Sequence, residues 1–254
     1  MPKMPTLFIG HGSPMNAIED NAYAKSWMAL GRDLPRPEAI LCVSAHWFTG
    51  GTRTSDAESP ETIYDMYGFP KELYEVVYAA PGSPKFAHAT RDLLGGIPID
   101  NSWGLDHGTW SVLRRMYPDA DIPVFQLSVD ARASTQAHFD MGRKLAPLRD
   151  QGVMILGSGN IVHNLRRVDW NVAGGFPWAE AFDDYIKQSI LSGDYARVVD
   201  YQQAGESAPL AVPTLDHYAP LLYTLGAARE DDAVRVFNDS CSLGSISMTC
   251  YQFS

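Results

Sequence analysis

The sequence predicts an α/β fold: a single domain over residues 1–254 with a central, mostly parallel sheet flanked by helices on both faces. Three observations predict it. Short apolar runs of buried-strand character alternate with segments whose apolar residues recur at helical spacing. Several of those runs end in a histidine set beside glycine or a turn. No repeat, low-complexity linker or shift of composition marks a domain boundary.

The first strand is Thr6-Leu7-Phe8-Ile9-Gly10, which delivers His11 between two glycines and stops before Pro14. Residues 21–34 read as a helix, with Asp20 as its expected cap, Ala22, Lys25, Ala29 and Leu30 at helical spacing, and Pro35 and Pro37 as its stop. A second buried strand, residues 39–45, delivers His46 ahead of Trp47 and Phe48. Residues 47–70 form a long irregular connection whose aromatic content argues for function over disorder. Then come a short strand at 74–78, a Pro-Gly turn, and a helix over 84–94 that starts on proline and ends at Gly95.

A loop carrying Trp103, Asp106, His107, Gly108 and Trp110 precedes a short helix to Tyr117. Residues 122–129 form a strand. Ser134 caps a helix whose Ala137, Met141, Leu145 and Leu148 keep one face apolar. The strand 153–156 runs into Gly157-Ser158-Gly159-Asn160-Ile161-Val162-His163, read as a tight turn from strand to helix. The last third is mostly helical, at 177–191, 194–203 and 215–225, and closes with strand-like runs at 233–238 and 245–253.

Bulk properties exclude several classes. A hydrophobic share of 45% with 20% charged residues is ordinary for a globular chain, and no apolar run has the length of a membrane span. Residues 1–5 lead straight into the first strand with no charged-then-apolar leader, so a cytoplasmic location is expected. Cys42, Cys241 and Cys250 are too few and too scattered for a disulfide framework or a paired-thiol zinc site. With 20 basic against 30 acidic side chains and a net charge of −10, binding to nucleic-acid phosphates would work against the overall field. No motif sets an oligomeric state.

Of seven histidines, His88 and His138 sit inside expected helices and read as ordinary surface or core residues. The other five, His11, His46, His107, His163 and His217, fall at strand ends or in Gly- or Pro-flanked loops. Loops that follow parallel strands converge on one crevice, so these five are expected to be neighbours. Clustered neutral imidazoles suit zinc, iron, copper or nickel and argue against magnesium or calcium. Competing motifs are weak. Gly157-Ser158-Gly159 lacks the third glycine of a dinucleotide fingerprint, and neither a Gly-x-Ser-x-Gly elbow nor a His-Glu-x-x-His helix occurs.

Taken in order, Gly10-His11-Gly12-Ser13-Pro14, Ser44-Ala45-His46-Trp47, Asp106-His107-Gly108-Thr109-Trp110, Gly157-Ser158-Gly159-Asn160-Ile161-Val162-His163-Asn164 and Asp216-His217-Tyr218-Ala219-Pro220 span nearly the whole chain. This set resembles the class III extradiol ring-cleaving dioxygenases, within them the DOPA 4,5-dioxygenase-like branch. The resemblance implies a mononuclear metal site that binds a catechol through both oxygens, with His11, His46 and His217 as ligands. It makes His163 either the base beside the metal or a further ligand, and His107 a second proton-transfer residue. One departure is visible: the protocatechuate-type branch completes its triad with a carboxylate, where this chain has His217 beside Asp216.

On that resemblance the cofactor is Fe(2+), with Zn(2+) as an alternative bound metal, and the partners are a small catechol-type aromatic (DOPA, caffeate or protocatechuate-like) and O2. The product is of the muconic semialdehyde type. A catechol hydroxyl is too weak an acid to ionise alone at neutral pH, so a nearby imidazole must take its proton. Trp47, Phe48, Tyr64, Trp103, Trp110 and Tyr218 flank the proposed ligands and could line a flat slot for the ring. Arg53, Lys71 and Arg132 lie in or beside loops and are candidates to meet a substrate carboxylate, with solvated surface the expected role. Two other readings stay open at the level of sequence: a zinc-dependent hydrolase on the same scaffold, and a non-catalytic protein with a structural metal, against which the absence of cysteine pairs counts.

Overall fold

Thr6–Gly10 (β1), Ala39–Thr49 (β2), Val124–Asp130 (β3) and Val153–Gly159 (β4) are the parallel heart of a six-stranded sheet. The computed structural model describes residues 3–254; Met1 and Pro2 lie outside the described residues. Val234–Phe237 (β5) and Cys250–Phe253 (β8) complete the sheet in the order β3-β2-β4-β1-β8-β5, both pairing antiparallel. Cys241–Ser242 (β6) and Ile246–Ser247 (β7) form a separate two-stranded ribbon. The helices are Ala22–Asp33 (α1), Pro84–Leu93 (α2), His107–Met116 (α3), Thr135–Leu145 (α4), Pro177–Leu191 (α5), Tyr195–Val199 (α6), Ser207–Ala211 (α7) and Ala219–Ala227 (α8). None is long and apolar enough to cross a membrane among the described residues.

Alternation along the strands decides which helices cover which face. Leu7, Ile9, Ile40, Cys42, Met154 and Leu156 pack with Trp27 of α1 and Trp110 and Leu113 of α3. The intervening residues Leu41, Val43, Val153 and Ile155 meet Leu145 and Tyr223. Phe8 packs with Phe182, Ile186 and Leu221 of α5 and α8. Both faces are therefore covered, and the strands read as continuous apolar runs for that reason. Because β1, β2 and β4 point the same way, their carboxyl ends lie on one edge.

Several expected elements are corrected. The first helix is capped by Asn21, whose side chain accepts from the Ala24 N–H, not by Asp20, and it buries Ala24, Trp27 and Leu30. The expected strand at 74–78 is a single 3-10 turn, Lys71–Glu75, followed by extended chain. Its polar groups go to side chains: the Tyr78 N–H donates to Thr62 Oγ1 and Tyr64 Oη to the Val76 carbonyl. The 194–203 helix breaks at Asp200 into α6 and a 3-10 turn. The α4 face turns to bury His138 and Gly142 together with Leu145.

Two differences bear on the site. The run 157–159 belongs to β4 and is no turn into a helix; a Cβ on Gly159 would lie 2.1 Å from the His217 carbonyl oxygen, so only glycine lets that segment approach. The 215–225 helix starts late, at Ala219, and the residues ahead of it wind through a turn in which the His217 carbonyl accepts from the Asn160 N–H at 2.9 Å. The expected 245–253 strand is likewise split into β7 and β8, because Ser247 and Thr249 turn their hydroxyls onto Asp183 and the Met248 N–H goes to the Ser240 carbonyl.

Candidate metal centre

All five singled-out histidines meet at the carboxyl edge of the sheet. His11 follows β1 directly. His46 lies inside β2, which runs on to Thr49, and the pairing of β2 with β3 slips between Val43 and Phe48. Such an irregularity turns a side chain out of the regular alternation, and here it aims an imidazole at the site. His107 is the first residue of α3, behind its cap Asp106. His163 is held by its N–H to the Ala211 carbonyl at 2.9 Å and by a bridge to Ile246. His217 comes from the turn before α8.

His11, His46 and His217 offer nitrogen atoms within 4.8 Å of one another. Ring centroids are 5.0 Å apart for His11 and His46, 5.3 Å for His11 and His217, and 5.0 Å for His46 and His217. His163 stands outside this trio, stacked flat on His217 at 3.4 Å. His107 packs against His46 at 3.8 Å. His88 pairs with Asp56 at the surface, and His138 is a core residue bonded to Tyr223 Oη.

The polar contacts behind the trio determine which nitrogens carry hydrogen. Ser158 Oγ donates to the Gly108 carbonyl at 2.6 Å, so its contact with His11 Nδ1 at 3.0 Å is one in which the ring donates. His46 Nδ1 lies 3.1 Å from Asp65 Oδ2, where a lone pair would be repelled. His217 Nδ1 donates to Asp216 Oδ2 at 2.5 Å. All three rings therefore turn Nε2 lone pairs inward. His11 Nε2 and His46 Nε2 face each other at 3.1 Å with no hydrogen between them, and His217 Nε2 is buried with no hydrogen-bond partner among the described residues. Two facing lone pairs and an orphaned third are unfavourable alone and are satisfied by one cation among them, so these residues fit a metal ion.

Electrostatics agree. Burial, reinforced by the neighbouring imidazoles, pushes His11 and His217 well below their ordinary value. Burial also brings His46 and His163 to about 4, against the pull of nearby carboxylates. Neutral rings at pH 7 are the form that ligates.

Two supports were not evident from sequence. Asp65, in the irregular 47–70 stretch, accepts from the His107 N–H at 2.8 Å and from His107 Nδ1 at 2.9 Å. An acid between Tyr64 and Tyr67 in a long aromatic loop was its one signal. Asp106 is fully buried and accepts from Ser44 Oγ, Trp103 Nε1 and Gln126 Nε2 at 2.7–3.0 Å, tying α3 to β2 and β3. Of the aromatics expected around a ring slot, Trp47, Trp110 and Tyr218 are buried core residues, while Phe48 and Tyr64 keep more than a third of their surface exposed. Arg53 and Lys71 are taken up by Asp100 and Glu75.

The fold and this cluster define a class: an α/β protein with a three-imidazole cluster that fits a metal at its strand ends. Residues 5–254 match the family described as catalytic LigB subunit of aromatic ring-opening dioxygenase. A protein named 4,5-DOPA dioxygenase extradiol from Escherichia coli (strain K12) is 49% identical over 98% of this chain and 94% of its own length. One of the same name from Beta vulgaris is 39% identical over 98% and 96%. The crystal structure of an uncharacterized protein from Escherichia coli K12 superposes with a TM-score of 0.86 at 45% identity, covering 99% of this chain and all of that one. The chain belongs to the LigB family and is a ring-cleaving dioxygenase of the extradiol type, a metal-dependent class.

Proposed function

We propose that residues 1–254 act as one catalytic domain that opens a DOPA-like catechol beside its hydroxyls, with Fe(2+) held by His11, His46 and His217. The observation that carries this reading is the convergence of three Nε2 lone pairs, two of them 3.1 Å apart, in a chain of this family. The relatives named for DOPA cleavage, at 49% and 39% identity over nearly the full chain, support the substrate class. A ferrous ion, when bound, supplies open positions for the catecholate and O2 and a path for electrons between them.

The remaining work falls to side chains. His163 is the base that takes a proton from the catechol hydroxyl: burial holds it near 4 and hence neutral at pH 7, and it stands beside the trio without belonging to it. His107, on the other side and packed against His46, is placed to take the second catechol proton on a ring nitrogen, and both imidazoles return their protons to the ring-opened product. Both atoms of O2 end in a muconic semialdehyde-type product, one carbon–carbon bond of the ring having been broken. Nothing in the site favours zinc-dependent hydrolysis over this reaction, although Zn(2+) suits the same three nitrogens.

The test is anaerobic loading with Fe(2+) followed by oxygen uptake and absorbance with DOPA, caffeate and protocatechuate. About one O2 consumed per catechol, with a yellow product and DOPA preferred, is expected. No uptake with iron demonstrably bound overturns the reading.

A further inference from the structure

We infer that Asp65 is a positioning residue that couples two imidazoles of different work, one carboxylate oxygen setting both the ring hydrogen and the orientation of His46 and of His107. The inference rests on the reading of His46 as a ligand and His107 as a proton-transfer group. Asp65 Oδ2 lies 3.1 Å from His46 Nδ1 and 2.9 Å from His107 Nδ1, and Oδ1 accepts the His107 backbone N–H at 2.8 Å. The two rings lie 3.8 Å apart at 49°. A lone pair on either Nδ1 would face a carboxylate oxygen at about 3 Å and be repelled, so both rings carry hydrogen there and turn Nε2 away from Asp65. For His46 that exposes the ligating nitrogen. For His107 it leaves a nitrogen free to take a proton.

The carboxylate is itself held firmly. Ile63 donates its N–H to the Leu105 carbonyl at 2.9 Å, the Ile63 carbonyl accepts from Trp110 Nε1 at 2.9 Å, and Tyr64 Oη donates to the Val76 carbonyl at 2.8 Å. The loop that carries Asp65 is thereby pinned on the side of α3 and on the side of the 71–75 turn. Neither ring has a second carboxylate partner among the described residues. Because one atom serves both rings, a change at Asp65 cannot alter one of them alone. An amide in its place fails in either orientation. With –NH2 toward the rings it forces hydrogen onto both Nε2 atoms, toward the metal; with –NH2 toward the His107 backbone N–H it sets two donors against each other.

The experiment compares wild type, Asp65→Asn and Asp65→Glu by long-range 1H–15N spectra of labelled histidines in metal-free protein, and by chelator competition with Zn(2+). Expected in wild type is Nδ1–H at both His46 and His107. In Asp65→Asn both rings shift to Nε2–H and the Zn(2+) dissociation constant rises about 10–100-fold, while Asp65→Glu restores much of both. Nε2–H at either ring of the wild type overturns the inference, and this arm stands even if Asp65→Asn fails to fold. A folded Asp65→Asn that alters one ring only, or keeps wild-type Zn(2+) affinity, overturns it as well. Wild type that binds no metal defeats the reading of the site instead, and the metal-free spectra still decide the role of Asp65.

Discussion

Gly108→Ala separates a local rule from a tertiary one. Gly108 is the second residue of α3, where alanine ordinarily stabilises a helix by up to about 1 kcal/mol, less in the first turn. A Cβ at this position would lie 2.7 Å from Ser44 Oγ and 2.9 Å from His46 Cδ2. Neither neighbour retreats without losing a contact, since Ser44 Oγ donates to Asp106 at 2.7 Å and His46 Nδ1 sits 3.1 Å from Asp65. Overpacking of that kind costs roughly 1–3 kcal/mol, so the clash outweighs the propensity gain by about 1–2 kcal/mol, a fall in Tm of roughly 2–8 °C. The His46 ring is the less tightly packed of the two, and when it yields its Nε2 leaves the trio. Zn(2+) affinity therefore drops about tenfold or more, equivalent to roughly 1.4 kcal/mol. Thermal unfolding of metal-free protein with chelator competition measures both. An unchanged or raised Tm together with wild-type metal affinity would refute the reasoning.

His11→Ala and His46→Ala are expected to lose bound metal and oxygen uptake together, whereas His163→Ala retains metal and loses turnover; metal analysis beside oxygen electrode traces checks this, and full occupancy in either of the first two counts against the ligand set. Burial lowers His138 from 6.5 to about 4, so the folded protein disfavours its charged form. The stability this contributes is whole above 6.5 and is lost as pH falls toward 4, by about 3 kcal/mol; denaturant midpoints of wild type and His138→Gln should converge over that window, and a pH-independent difference would contradict it. Arg149 is fully buried and pairs with Asp232 while donating to the Met4 and Ala227 carbonyls. Arg149→Met leaves that carboxylate with Lys3 and the Arg229 backbone N–H and is expected to cost about 3 kcal/mol. A loss under about 1 kcal/mol in urea unfolding would show that Lys3 suffices.

Local chemistry made much of this protein legible in advance. Buried apolar runs such as Leu7-Phe8-Ile9 and Ile40-Leu41-Cys42-Val43 can satisfy their composition only between two helical layers, so the parallel sheet followed from the residues themselves. The start of α5 at Pro177 and the cap of α4 at Ser134 were equally local matters. His11, His46, His107, His163 and His217 were recognisable because strand ends and glycine-flanked turns are where such a sheet exposes side chains.

What the sequence could not determine was decided by partners distant in the chain. The 74–78 segment has strand composition, yet its backbone groups find Thr62 and Tyr64 instead of a ladder. His217 escapes its expected helix because its carbonyl is claimed by Asn160 at the end of β4. Most of all, the hydrogens of the His11, His46 and His217 rings are placed by Ser158, Asp65 and Asp216, of which only Asp216 is a sequence neighbour of the ring it holds. Sequence alone determined that five imidazoles would gather at one edge of an α/β sheet. The resemblance named three of them, and only the tertiary structure decided how their lone pairs converge on a common point, because a ring's free nitrogen depends on what its other nitrogen touches across the fold.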